Sequence, residues 1–256
     1  MFQYTSDLHL ERFTIDNYKY DDLIKVSAKV LLLLGDIGTI KSKILPIFLK
    51  DCSKDFELVL YVPGNHEYYN DNNIPMVEIN NYYENLCSKF NNIIFLNNKT
   101  YNYNNITFIG SILWSKILSY ERNHIKQVSN DLRNINITEN QKLTIDKINE
   151  LNKECINWLI NELENNKNTI IILSHYLPSY HLIAKKYQSY IGNSMYANDL
   201  DYIMEKYKIS YWLFGHSHAS TDLTLYNTRC LSNPHGYIIC DIKENNNYEN
   251  NKIITI

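Results

Sequence analysis

The 256-residue chain is 45% hydrophobic, enough to bury a sizeable core, and its net charge of −3 gives no electrostatic reason to hold extended nucleic acid or an anionic membrane. No apolar run approaches the length of a membrane span, and Phe2-Gln3-Tyr4 lacks the basic and apolar regions of a secretory leader. A cytoplasmic chain forming one domain over residues 1–256 is therefore expected, since no linker-like composition divides it. Cys52, Cys87, Cys155, Cys230 and Cys240 are odd in number and widely spaced, so reduced, mostly buried thiols are expected rather than disulfides or a thiolate zinc site.

Phe2 to Thr5 reads as a first strand, running into Ser6-Asp7-Leu8-His9-Leu10-Glu11. A helix is expected over Asp21 to Ser27. Val30 to Leu34 is an unbroken apolar run, typical of a strand covered on both faces, and ends in Gly35-Asp36. A helical segment near Lys41 to Ser53 leads to a third strand, Leu58 to Val62. Pro63-Gly64 breaks that strand and delivers Asn65, His66 and Glu67 at its carboxyl end, where open α/β sheets put their chemistry. Ile74 to Lys89 has helical character, with Pro75 in its first turn.

Short strands follow at Ile93 to Leu96, Thr100 to Tyr103 and Ile106 to Trp114. Asn97-Asn98 and Asn104-Asn105 read as tight turns between them, which predicts antiparallel pairing. Residues 119–137 are irregular and predict a cover of short helices over one face of a site. Thr138-Glu139-Asn140-Gln141 fits a capping box that opens the longest helix. Its apolar stripe is Ile145, Ile148, Cys155, Ile156, Leu159 and Leu163, with Trp158 beside it. Thr169 to Leu173 is a further apolar strand and empties into Ser174-His175-Tyr176. Asp199 to Tyr207 reads as a helix, and Tyr211 to Phe214 leads to Gly215-His216-Ser217-His218. Leu223 to Tyr226, Arg229 to Leu231 and Tyr237 to Asp241 predict a β meander. Residues 243–256 form a polar carboxyl-terminal extension, with Lys243 to Lys252 a loop or a frayed end.

Five separate strands thus end in metal-capable residues: Asp7 and His9, Asp36, Asn65 and His66, His175, and His216 and His218. Five of the eight histidines stand there. Any one of them alone reads best as a hydrogen-bonded histidine or a capping aspartate, but the joint placement reverses that. Two divalent ions about 3.5–4 Å apart need a bridging carboxylate, with neutral imidazole and oxygen ligands on either side. Asp36, alone after its strand, is the natural bridge. Asp7 and His9, at i and i+2, share one face of an extended segment and can grip one ion. His216 and His218 have the same spacing, so they reach different ions only if the loop between them curls. The oxygen and nitrogen donor set suits Mn²⁺, Fe or Zn²⁺.

In order and spacing, Asp7-Leu8-His9, Gly35-Asp36, Gly64-Asn65-His66-Glu67, His175 and Gly215-His216-Ser217-His218 resemble the calcineurin-like metallophosphoesterases. Gly110 to Trp114, Ser174 to Ser179 and Ser232 to Tyr237 extend the likeness to a compact single-domain branch of that family. The resemblance implies an α/β fold, a four-layer αββα sandwich of two mixed β-sheets. It implies two divalent metal ions, one held by Asp7, His9, Asp36 and His218 and the other by Asp36, Asn65, His175 and His216. His66 is then no ligand, but a charged or proton-donating group facing the leaving oxygen.

The activity expected is metal-dependent hydrolysis of a phosphomonoester or phosphodiester in a small phosphorylated substrate, by a hydroxide bridging the two metals. A nuclease of the same family and a non-catalytic metal-binding scaffold are the alternatives. Three departures stand out. The phosphoprotein phosphatase branch carries an acid where this chain has Thr39, a second histidine where it has Tyr176, and the compact branch an arginine where it has His235. Asn65, His235, Arg133 and Tyr68 are candidate substrate contacts. Tyr69, Trp114, His124, Asn130, His181 and Tyr196 are further pocket candidates, for each of which core packing or ordinary surface is the commoner reading.

Overall fold

A computed structural model describes residues 1–239 and 242–256. The first half of the chain alternates strand and helix: β1 (Phe2–Thr5), α1 (Tyr20–Leu23), β2 (Val30–Leu34), α2 (Leu45–Asp55), β3 (Leu58–Val62), α3 (Met76–Cys87) and β4 (Ile93–Phe95). β5 (Lys99–Tyr103) and β6 (Ile106–Ser111) follow, then α4 (Arg122–Val128), α5 (Asp131–Asn134) and a ribbon of β7 (Asn136–Thr138) and β8 (Gln141–Lys142). The long α6 (Ile145–Glu164) precedes β9 (Thr169–Ser174), α7 (Asp201–Lys206), β10 (Tyr211–Phe214), β11 (Thr221–Leu225) and β12 (Thr228–Ser232). Short strands β13 (Ile238–Ile239), β14 (Ile242–Lys243) and β15 (Ile253–Ile254) complete the described chain.

Among the described residues two large sheets form, one in the order β15-β1-β2-β3-β4 and the other β11-β12-β10-β9-β6-β5. Both are mixed. β1 to β4 pair in parallel with β15 antiparallel at the edge, and β6, β9, β10 and β12 are parallel with antiparallel neighbours at both ends.

The strand periodicity of two explains why the central runs are apolar throughout. Val30, Leu32 and Leu34 of β2 meet Ile171 and Leu173 of β9 in a core between the sheets. Leu31 and Leu33 point the other way, into a core shared with Phe48 of α2 and Ile79 of α3; Ile170 and Ile172 do the same with α6 and α7. Helices therefore flank the two sheets, which gives the four-layer αββα order. Among the described residues no helix is long and apolar enough to cross a membrane.

Several boundaries differ from expectation. The helix expected over Asp21 to Ser27 is a single turn, Tyr20–Leu23. Asn104-Asn105 does turn β5 into β6, but Asn97-Asn98 is a crossover between sheets, because β4 pairs with β3 and β5 with β6. The capping box at Thr138 does not form. Thr138 ends β7, and the cap is Thr144, whose hydroxyl accepts from Lys147 N at 3.2 Å. Local cap chemistry recurs there, and only the second threonine directly precedes the apolar stripe. That stripe includes buried Asn152, which donates to Trp114 O and Asn198 Oδ1, while Ile156 and Trp158 are half-buried.

Among the described residues the meander is a single hairpin, β11 with β12; Ile238–Ile239 instead pairs with Ile242–Lys243 in a separate ribbon. Cys240 and the end of the predicted strand lie outside the described residues. Lys243 to Lys252 is a loop held by side chains: Asn245 is buried and donates to Pro234 O, and Asn233 Nδ2 donates to Glu249 O. Cys52, Cys87, Cys155 and Cys230 are free and buried.

Candidate metal centre

The parallel registers align the carboxyl ends of β1, β2 and β3 at one rim, and those of β9 and β10 at the facing rim. Asp7 and His9 follow β1, Asp36 follows β2, Asn65 and His66 follow β3, His175 follows β9, and His216 and His218 follow β10. Backbone bonds stitch these loops together: Asp7 N donates to Gly35 O, His9 N to Asp36 O, Gly215 N to His175 O, and Gly236 N to Asp7 O.

Five of these residues hold a left-handed backbone, Asp7 (φ 54°), His9 (49°), Asp36 (54°), His216 (68°) and His218 (46°). Such φ values are uncommon for non-glycine residues and concentrate at functional sites. They correct the expectation that Asp7 and His9 sit on an extended segment, since a curled backbone brings the pair together. His216 and His218 curl in the same way. Two glycines make room: a Cβ on Gly64 would fall on Asp36 Oδ1, and one on Gly35, itself at φ 82°, on the His175 ring.

The side chains converge in overlapping groups, Asp7 with His9 and His218, Asp36 with His175 and His216, and Asp36 with His9 and His66, the ligand atoms of each group lying within 4.8 Å of one another. Asp36 faces both sides, with Oδ1 3.4 Å from His175 Nε2 and Oδ2 3.9 Å from His9 Nε2. His218 Nε2 lies 3.3 Å from Asp7 Oδ1. Asp7 and His175 are fully buried, and Asp36, His9 and Asn65 nearly so.

The outer face of each group shows what the inner face must be. His175 Nδ1 donates to Leu34 O (3.0 Å), His218 Nδ1 to Glu244 (2.6 Å) and His9 Nδ1 to Glu11 (3.2 Å). In their neutral forms all three rings therefore turn a bare Nε2 inward. Asn65 gives its amide N–H to Asp131 at 2.8 Å, which points its oxygen at His175 Nε2, 3.0 Å away. Acceptor atoms thus face one another where His9 Nε2 and His218 Nε2 stand 3.1 Å apart, and His175 Nε2 lies 3.1 Å from His216 Nδ1. His216 Nε2 is buried with no hydrogen-bond partner. A cage of inward acceptors with carboxylate- and carbonyl-anchored imidazoles fits divalent cations.

The charges agree. Burial disfavours imidazolium, yet Asp36 raises His175 to about 9, and Asp7 with Glu244 raises His218 to about 10. Burial and the neighbouring His175 instead lower His216 to about 3. Asp36, despite its burial, is held well below the usual carboxylate range by His175 and His66. The cage attracts positive charge and takes protons where no cation is bound.

His66 stacks on Tyr69 at 4.2 Å, with Nε2 3.3 Å from Tyr237 Oη and 3.9 Å from Asp36 Oδ2. Burial works against its charge, but Asp36 and Glu11 raise its pKa. Glu67 is not aimed at the cage. Its carboxylate accepts from the backbone N–H of Asp36, Ile37 and Gly64 and from Tyr61 Oη, which fixes the turn carrying Asp36.

A cavity of about 470 Å³ opens beside the cage and is lined by Asp36, Asn65, His66, His216 and His218. Of the further pocket candidates, Tyr69, Asn130 and Tyr196 line it. Trp114 is core, His181 pairs with Asp201 and His124 meets Tyr190.

Three proposed substrate contacts are corrected. Tyr68 is buried and donates to Asn80, because its ring packs on Trp114. His235 is buried against Tyr248 with Nδ1 on Gly236 O and does not line the cavity, and burial lowers its pKa. Arg133 is outside the cavity lining, its guanidinium held by Gln127 O. Asn65 does reach the cavity. Glu11, Asp131 and Glu244 escaped sequence reasoning. Glu11 had a weak signal in its i+2 step from His9; Asp131 and Glu244 sit in irregular stretches with none.

The model of the calcineurin-like phosphoesterase family matches residues 4–220, and the chain belongs to this family. An uncharacterized protein, L509, of Acanthamoeba polyphaga mimivirus is 35% identical over 272 residues, covering 94% of this chain and 97% of that one. Among solved structures, phosphopantetheinyl hydrolase from Mycobacterium tuberculosis superposes with a TM-score of 0.71 at 17% identity, over 92% of this chain and 89% of that one. TT1561 of Thermus thermophilus gives 0.50 at 12% identity, over 91% and 88%. At these identities the two structures share the fold alone.

Proposed function

We propose that the chain is a metal-dependent phosphoesterase hydrolysing a phosphomonoester or phosphodiester in a small substrate. One observation carries this reading: inward-facing acceptors from five strand ends meet around Asp36 at a cavity that His66 also lines. Asp7, His9, Asp36 and His218 would hold one divalent ion, and Asp36, Asn65, His175 and His216 a second, with Asp36 shared. The donor set fits Mn²⁺, Fe or Zn²⁺. Such ions, when bound, supply positive charge against phosphoryl oxygens and make water more acidic.

The chain's own residues do the rest. Glu11, Glu244 and Leu34 O orient the imidazoles, and Asp131, with Tyr69 and Tyr176 donating to it, keeps the Asn65 oxygen turned inward. His66 holds a proton at Nε2 and passes it to the leaving oxygen as the bond from that oxygen to phosphorus breaks. Water supplies the oxygen of the new bond to phosphorus, and the proton it releases restores His66. Four free, buried cysteines fit a reducing compartment, which supports a cytoplasmic setting.

Purified protein should hydrolyse p-nitrophenyl phosphate or bis-p-nitrophenyl phosphate with Mn²⁺, lose that activity on chelation and regain it when metal is restored. Equal rates with and without metal would end this reading.

A further inference from the structure

The cavity beside the cage has two unlike parts. Its inner end is the polar cage. Outward from His216, the Tyr196 ring lies 5.1 Å away and the Tyr190 ring 6.4 Å beyond that, so aromatic faces run from the cage to the surface. Tyr190 is steadied by His124 Nε2, 3.0 Å from its hydroxyl. Ile183, Tyr187 and Met195 continue this apolar side.

The charges are equally one-sided. Among the described residues lining the cavity there is no lysine or arginine, and the Lys186 ammonium lies outside the lining, 4.6 Å from the Tyr187 ring centroid. Asp131 and Glu244, both lining residues, place carboxylates there. Asp131 accepts from Asn65, Tyr69 and Tyr176, which orients its charge without neutralising it. Glu244 is paired with His218, but the partners of Asp131 are all neutral. Two divalent ions at the cage would balance the phosphoryl group being attacked, while a further anion on the substrate would meet the Asp131 carboxylate at low local dielectric. The open tyrosines also have a use: Tyr187 is 42% and Tyr190 37% exposed, and a flat apolar group would cover them.

We propose that the phosphate ester taken by this site carries a small, neutral, flat apolar leaving group, seated against Tyr187, Tyr190 and Tyr196. Diphosphates, polyphosphorylated compounds and nucleic acid strands are disfavoured. The proposal rests on the phosphoesterase reading and specifies its substrate class.

Binding of stable phosphonates tests it separately from turnover. With Mn²⁺-loaded protein, calorimetry should find phenylphosphonate bound about tenfold or more tightly than methylphosphonate, the gain expected from burying one ring. Adding a carboxylate, as in 4-carboxyphenylphosphonate, should remove that gain. Tyr187→Ala and Tyr190→Ala, at half-open positions where loss of fold is not expected, should each narrow the phenyl preference and leave methylphosphonate affinity unchanged. Equal binding of phenyl and methyl compounds would overturn the proposal, as would full retention of affinity by the carboxylated ring or an undiminished preference in both variants. Failure of metal-dependent hydrolysis would instead strike the phosphoesterase reading, so the two failures are distinguishable.

Discussion

Glu11 Oε1 stands 3.7 Å from His66 Nδ1, on the side of the ring away from the Tyr237 hydroxyl. Thr39, at the position where the phosphoprotein phosphatases carry an acid, offers only its backbone N–H, which donates to Glu11 Oε2 at 3.3 Å. Glu11 thus brings a carboxylate to His66 from a different strand end, and its own pKa is lowered to about 2, the histidine bonds outweighing burial. His66→Asn should keep bound metal yet lose about 10²–10⁴-fold in kcat. Glu11→Gln should lose about 10–100-fold at saturating Mn²⁺, and far less when His66 is already Asn. Steady-state kinetics of the two single variants and the double variant check this; fully additive losses would show that Glu11 does not act through His66.

Glu67 makes a different prediction, about stability. Its two oxygens accept four hydrogen bonds, so an amide there turns an N–H against N–H donors. Glu67→Gln should cost about 3–5 kcal/mol, read from urea unfolding of the metal-free protein. A loss below about 1 kcal/mol would mean the turn before Asp36 is held by something else.

Metal uptake should release protons. Without metal, His218 is raised to about 10 and His175 to about 9, as carboxylate partners outweigh burial. To bind through Nε2 each ring must give that proton up, so Mn²⁺ affinity should rise with pH from about 6 to 9, by about tenfold per unit for each proton displaced. Calorimetry in buffers of different ionisation enthalpy measures the release, and a pH-independent affinity contradicts it. The metal-free protein should show the opposite trend in stability. A folded-state pKa of about 10 against an ordinary 6.5 gives His218 a contribution that is complete below pH 6.5 and lost as pH climbs through 10.

The strands that carry the site were legible because they are apolar on both faces: Val30–Leu34, Leu58–Val62 and Tyr211–Phe214 fall where the sequence puts them. The histidines and aspartates were legible because each follows such a strand. What was not legible depends on contacts remote in sequence. Asn97-Asn98 has the composition of a hairpin turn, and only the pairing of β4 with β3 makes it a crossover. Glu244 looks like one charge in a polar tail until the loop brings it to His218, 26 residues away. His235 looked like a phosphate contact by position, but its ring is packed against Tyr248. The left-handed φ values at Asp7, His9 and Asp36 have only a weak signal in residue type, since aspartate and histidine adopt such a backbone more often than other side chains but glycine is what normally advertises it.

In the proposed function Asp36 joins two groups of ligands into one cation cage. The most direct measurement is the metal content of parent and Asp36→Asn protein after loading with Mn²⁺ and removal of excess. Parent protein should retain about two ions per chain and the variant fewer than one, with phosphoester hydrolysis lost in parallel. Parent protein that holds no metal, or a variant that holds as much as the parent, would contradict it.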